Sequence, residues 1–294
     1  MILIASAAYI SQEMQVEFGK LPPSFLPLGN KRLYEHQIEI LKKNFSEEDI
    51  ILSLPKDFII GKVDKKYFVK NKIKIERLDS DIHLTESLLE VLNKNEPISI
   101  RILHGDTLVD DIPKTKDAII LSKSDLEYSW GRYGKEQYHM VGYFSFSNIE
   151  ILKKKLIESN NDFECSVRNY ASEVEFNEYF VKSWSDFGHY ASYFRSRMLK
   201  TSERIFNDLV IKDGIVRKSS SNTQKIINEA EWYVNLPVDI KPYAAPFYGI
   251  DKSDTKVTYF TGYLPLLTLS ENYIFCRHSN EYWEKIISRL VGLV

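Results

Sequence analysis

The sequence predicts two units: an open, mostly parallel α/β sheet with helices on both faces over residues 1–200, and a smaller α+β unit over residues 201–294. Three observations predict this. Short apolar runs recur at Ile2–Ala8, in DIILSLP (49–55), in ISIRILHGD (98–106) and in DAIILS (117–122), as expected of strands buried on both faces. Amphipathic stretches alternate with them, which is the pattern of βαβ units. After about residue 200 the alternation gives way to a hairpin, a helix and a further strand pair.

Each element follows from local chemistry. Gly29–Asn30 punctuates the chain ahead of LYEHQIEILKKN, where Leu33, His36, Ile38 and Leu41 fall near helical spacing. TESLLEVLNKN is a helix with Leu88, Leu89 and Leu92 on one face and Thr85 as its expected N-cap. Asp213–Gly214 joins two short strands as a tight hairpin. NTQKIINEAEWYVNLP reads as a helix stopping at Pro237, PFYGI and VTYFTGYLP as a strand pair, and residues 269–294 as helical to the end.

The chain of 294 residues has 39 Lys+Arg against 41 Asp+Glu and is 44% hydrophobic, enough for one large core or two ordinary ones. A net charge of −2 excludes a polyelectrolyte tail and gives no electrostatic case for nucleic acid. Cys165 and Cys276 stand far apart without partners at metal-ligand spacing, so a disulfide framework or structural zinc site is not expected, and a reducing, cytoplasmic setting is. The apolar N-terminus lacks a basic flank and reads as a strand rather than a signal peptide. No apolar run approaches the roughly 20 residues of a membrane span.

The sharpest chemical signal is HGDTLVDD (104–111), which puts Asp106 at the carboxyl end of an apolar strand, where open α/β sheets bind ligands. A carboxylate there can hold Mg²⁺ or simply cap a turn. Asp186, in the polar turn of SWSDFGHYASYF, can converge with Asp106 on one cation or serve as a helix N-cap. His104 and His189 neighbour these acids and are candidates for phosphate contact. Lys62–Lys74 reads as a solvated basic run, and Tyr128, Trp130, Tyr133 and Tyr138 as an aromatic set able to stack on a sugar or base or to pack a strand.

The order of these motifs, with FLPLGNKRLYEHQIEIL before HGDTL and MVGYFSFSN before SWSDFGHYASY, resembles the sugar-1-phosphate nucleotidyltransferases, whose Rossmann-like sheet is similar to that of GT-A glycosyltransferases. The resemblance spans residues 1–200. It implies Mg²⁺ on Asp106 and Asp186, an NTP substrate with Thr107 and the start of TESLLEVL near the nucleoside, and VGYFSF near a sugar. The chain departs from that family after the first strand. SAAYISQEMQVEFGKLPPS has no glycine before Gly19 and no arginine, Glu13 and Glu17 would repel phosphate, and Ser24 stands where the family has lysine. Lys20 and Arg32 are the cations expected to take over the phosphate charge.

In the second unit, Lys218 on a strand and Glu229 on the following helix resemble the ATP-contacting pair of choline-kinase and aminoglycoside-phosphotransferase N-lobes, with YFTGYLPLLTLSE similar to their hinge. No catalytic-loop motif follows, so a partial lobe is expected. Together the resemblances imply Mg²⁺-dependent nucleotidyl transfer from an NTP to a phosphorylated sugar or small alcohol, in bacterial capsule or surface polysaccharide synthesis. A degenerate binding scaffold and a GT-A-type glycosyltransferase are the alternatives. The expected partners are nucleotide and phosphorylated acceptor, with no nucleic acid and no membrane span; homo-oligomerisation is left open.

Overall fold

The computed structural model describes residues 1–123, 131–181, 184–202, 208–253 and 256–292. Two compact units are present: Met1–Ser192 together with Leu269–Val294, and Tyr193–Thr268. The division therefore falls ahead of residue 200, and the closing segment groups with the first unit.

The first unit runs β1 (Ile2–Ala5), α1 (Gln12–Phe18), β2 (Pro27–Leu28), β3 (Lys31–Arg32), α2 (Leu33–Asn44), β4 (Ile50–Pro55), α3 (Lys62–Lys70), β5 (Lys74–Leu78) and α4 (Leu84–Asn95). It continues with β6 (Ile100–His104), β7 (Thr107–Leu108), β8 (Ala118–Ser122), β9 (Arg132–Tyr133) and β10 (Tyr138–Phe146). Then come α5 (Ile149–Glu158), α6 (Phe163–Ala171), β11 (Asn177–Phe180) and β12 (Ser185–Asp186). Seven strands lie in the order β11-β8-β10-β6-β1-β4-β5, with β9 added on β10. Pairs β1–β4, β1–β6, β4–β5 and β8–β11 are parallel, while β10 runs antiparallel to both its sheet neighbours.

This is the predicted fold class, a parallel-dominated sheet flanked by helices. The apolar runs explain it. Ile2, Leu3, Ile4, Ile51, Leu52, Ile102 and Leu103 are each at most 2% exposed, so the central strands are covered on both faces. Their carboxyl ends, at Ala5, Pro55 and His104, lie side by side and position everything that follows.

Several local expectations are corrected. Helix α4 begins at Leu84, one residue before Thr85, because the Glu86 carboxylate accepts from His83 N at 2.8 Å while the Thr85 hydroxyl donates instead to Asn161 Oδ1 at 3.1 Å. The basic run from Lys62 is solvated as expected: it forms helix α3, with lysines outward and Asp64 and Phe68 buried. The C-terminal stretch is two helices, α9 (Leu269–Phe275) and α10 (Asn280–Val291), divided where Arg277 bridges to Gly19 and Ser279 caps the second helix.

That bridge fastens the closing segment to the first unit. Arg277 N donates to Phe18 O at 2.9 Å, and Arg32 Nη1 donates to Phe275 O at 3.0 Å. Gly19 has φ +72°, and a Cβ there would lie 2.0 Å from Arg277 O. Gly19→Ala therefore combines left-handed strain with a backbone clash, and should lower the unfolding free energy by at least about 2 kcal/mol in urea titration.

The helix α7 (Tyr190–Ser202) leads into the second unit, β13 (Asp208–Lys212), β14 (Ile215–Ser220), α8 (Thr223–Val234), β15 (Phe247–Lys252) and β16 (Val257–Gly262). Asp213 and Gly214 have φ of 52° and 73°, the mirror-image turn that a two-residue hairpin requires. The sheet order is β13-β14-β16-β15, antiparallel throughout. Helix α8 packs Ile226 and Ala230 against Val257 and Tyr259.

Candidate active site

The loop after β6 is shaped by close packing and then by its carbonyls. A Cβ on Gly105 would lie 2.7 Å from Ser6 Cβ at the end of β1, so only glycine allows the two strand ends to approach so closely. On the far side, β7 pairs antiparallel with β12, setting Asp186 directly opposite Thr107 and Ser185 opposite Leu108. Phe187 N donates to Asp106 O at 2.8 Å, and the Phe187 ring is fully buried. This short ladder carries the segment around residue 186 back to the loop after β6.

The two carboxylates consequently share one neighbourhood. A Cβ on Gly188 would lie 2.6 Å from Asp106 Oδ2 and 3.2 Å from Asp186 Oδ1, so both acids crowd the same Cα. Asp186 Oδ1 accepts from Gly188 N at 3.0 Å. Its Oδ2 is buried with no hydrogen bond among the described residues, His189 Nδ1 standing 3.6 Å away. The Thr107 hydroxyl donates to Asp106 Oδ1 at 3.4 Å, a long contact. Burial, and then the adjacent Asp186 charge, push the Asp106 carboxyl up to about 7.

A buried carboxylate oxygen without a donor, facing a second acid held partly protonated, is a site short of positive charge. Among the described residues no group of three or more His, Cys, Asp or Glu side chains is arranged to hold a metal. Two carboxylates on their own suit Mg²⁺, which keeps several waters and shares phosphate oxygens rather than occupying an all-protein cage. The residues present fit that ion.

The other candidates lie in varied settings. His104 is packed against the Phe144 and Phe163 rings, and burial lowers its imidazole to about 4, so it is neutral near pH 7. Thr107 is buried, its hydroxyl on Asp106 and against Gly142. Lys20 lies over the Tyr9 ring and pairs with Asp57 at 3.0 Å, both groups largely exposed. Arg32 corrects the expectation placed on it: its guanidinium is buried, paired with Asp64 at 2.8 Å and donating to the Phe25 and Phe275 carbonyls. Its Nε and Nη1 donors are engaged within the fold, so the charge expected on phosphate is instead set against a buried carboxylate. Where a glycine-rich loop is expected, Ser11 caps the short helix α1, which carries Glu13 and Glu17.

In the second unit Lys218 Nζ and Glu229 Oε2 do meet, at 2.8 Å, and the Tyr259 hydroxyl donates to the same oxygen at 3.0 Å. The pair is about one-third exposed, so Lys218→Met should cost about 1 kcal/mol or less in thermal unfolding. Of the aromatic set, Tyr138 packs edge-on against Phe180 and Tyr133 is near Phe176, while Tyr128 and Trp130 lie outside the described residues.

A narrow cleft of about 100 Å³ opens beside the loop, lined by Ala5, Ser6, Ser53, Leu84, Ser87 and Leu88 among others, with no charged side chain. Sequence reasoning marked the start of α4 but missed Gly188 and Gln37. The signal for Gln37 was present: it is a lone amide on the buried face of α2, between Leu33, Tyr34, Ile38 and Leu41.

The fold is thus a Rossmann-like α/β sheet with two acids meeting beyond its strand ends. Among solved structures, the chain is similar to a nucleoside-diphosphate-sugar pyrophosphorylase from Vibrio cholerae, at TM-score 0.52 and 14% identity over 67% of this chain and 99% of that one. It is similar as well to a CTP:phosphocholine cytidylyltransferase from Streptococcus pneumoniae, at TM-score 0.52 and 14% identity over 67% and 97%. A UDP-glucose pyrophosphorylase complexed with UDP-glucose gives TM-score 0.52 and 14% identity over 69% and 98%. No protein-family model matches the chain, and no curated protein matches it. At this identity the likeness is one of fold.

Proposed function

We propose that the first unit transfers a nucleotidyl group from an NTP to a phosphorylated sugar or small alcohol phosphate, releasing pyrophosphate. The observation that carries this reading is the meeting of Asp106 and Asp186 over Gly188 at the sheet's carboxyl edge. The solved structures sharing the fold include pyrophosphorylases and a cytidylyltransferase, which supports the same class of reaction. An acceptor phosphate oxygen forms the new bond to the α-phosphorus as the bond to pyrophosphate breaks. Mg²⁺, when bound, neutralises phosphate charge and orients the in-line displacement. Asp106 and Asp186 would hold it, and Thr107 steadies Asp106.

The neutral cleft beside Ser6, Ser53 and Ser87, too small to enclose a nucleoside, meets one edge of it with hydroxyls and backbone rather than charge. Lys20 supplies phosphate charge, since an exposed pair such as Lys20–Asp57 releases at little cost. Among the described residues no helix is long and apolar enough to cross a membrane. We place the reaction in the supply of activated building blocks for bacterial surface polysaccharide. Pyrophosphate release, followed with each NTP against a panel of phosphorylated sugars and alcohols, tests the reading. Turnover with one pair is the expected result, and none with any pair opposes it.

One observation favours a second reading. The stretch that resembles the family's phosphate loop is instead helix α1 with Glu13 and Glu17, which suits a scaffold that binds nucleotide without turnover. Calorimetry separates the two, since tight Mg²⁺-nucleotide binding without pyrophosphate release selects the scaffold. For the second unit, we read Lys218 and Glu229, on a four-stranded antiparallel sheet and its helix, as a phosphate-contacting pair of a phosphotransferase-like lobe. Loss of ATP binding in Lys218→Met is the matching test.

A further inference from the structure

Every backbone carbonyl from His104 to Thr107 has a donor, and three of the four share one. Gln37 Nε2 donates to His104 O at 3.0 Å, to Gly105 O at 3.3 Å and to Thr107 O at 2.8 Å. Phe187 N takes the remaining carbonyl, that of Asp106, at 2.8 Å. The Gln37 side chain is wholly buried, and its Oε1 has no hydrogen-bond partner among the described residues. Leaving a buried amide oxygen unpaired is unfavourable, and the surrounding face of α2 is apolar. Packing of the helix therefore gives no reason for an amide here, whereas the loop it grips does.

We infer that Gln37 is a positioning residue for the acidic pair: from helix α2 it clamps the loop that carries Asp106 and so fixes that carboxylate beside Gly188 and Asp186. Its donors go to the loop backbone and not to either carboxylate. Its action is to remove the backbone freedom by which Asp106 could swing away, as supporting hydrogen bonds do for metal-ligating carboxylates in general. The inference rests on reading the pair as a divalent-cation site.

Gln37→Met keeps the length of the side chain and removes both donors. Mn²⁺ is titrated calorimetrically into the full chain, with folding checked by circular dichroism at the same temperature. Ile38→Val, a methyl deletion at the next, equally buried position of α2, is the structural control. The expected result is Mn²⁺ affinity weakened about 10-fold or more in Gln37→Met and unchanged in Ile38→Val, even if both lower Tm. Gln37→Leu, which removes both donors and is shorter, is the second variant should Gln37→Met not fold, and is expected to weaken binding likewise. Wild-type affinity in either Gln37 variant, or an equal loss in Ile38→Val, overturns the positioning role alone. Failure of the unaltered protein to bind Mn²⁺ overturns the cation site and this role with it.

Discussion

Asp106→Asn should abolish divalent-cation binding and lower nucleotidyl transfer by about 10³-fold or more, yet make the metal-free protein more stable at pH 8. The two effects have one cause. Burial and Asp186 raise the Asp106 carboxyl to about 7, above the ordinary carboxylate range it has in the unfolded chain. Below about pH 4 the acid is protonated in both states and costs nothing. As pH rises from about 4 to about 7 the unfolded chain releases its proton first, so wild-type stability falls through that window and stays lower above it. Asn carries no charge to bury, and should regain about 1–2 kcal/mol at pH 8, the open side of the site limiting the gain. Calorimetric melting in EDTA and in Mg²⁺ checks this: the ion should raise Tm in the wild type and leave D106N unmoved. A variant that melts lower than wild type in EDTA at pH 8 contradicts the account.

Arg32→Met should be among the most damaging single changes in the first unit, through stability. Arg32 and Asp64 are each about 8% exposed, and the Tyr34 hydroxyl shares the same Asp64 oxygen at 2.8 Å. Removing the guanidinium strands a buried carboxylate, which costs about 3–5 kcal/mol. It also deprives Phe25 O and Phe275 O of their donor. Adding Asp64→Leu should recover much of that loss, because the charge left behind is removed as well. Urea unfolding of R32M and R32M/D64L measures both. Were Arg32 a phosphate ligand, R32M would keep its unfolding midpoint and lose kcat/KM instead.

Much of the sheet was legible because a strand buried on both faces writes a continuous apolar run, as at Ile2–Ala5 and Ile50–Pro55. The hairpin at Asp213–Gly214 was equally plain, since few residue pairs accept positive φ twice. Asp106 and Asp186 were legible from their place after strands and in a polar turn. What the sequence could not express was the ladder that joins them, because β7 and β12 are two residues each and lie far apart in the chain. Pairing so short carries no periodicity. Arg32 misled for a related reason: its partner Asp64 lies on another helix, and a basic residue before a helix looks alike whether it faces phosphate or a buried acid. Helix α1 was hidden by its own polarity, with only Met14 and Phe18 turned inward.

Anomalous diffraction from crystals soaked with Mn²⁺ and a non-hydrolysable NTP puts the principal statement at risk most directly. The account predicts one strong peak bonded to oxygens of both Asp106 and Asp186, with nucleotide phosphate completing its shell and the nucleoside beside Ser6 and Ser87. Peaks elsewhere only, with an empty gap between the two acids, would contradict it.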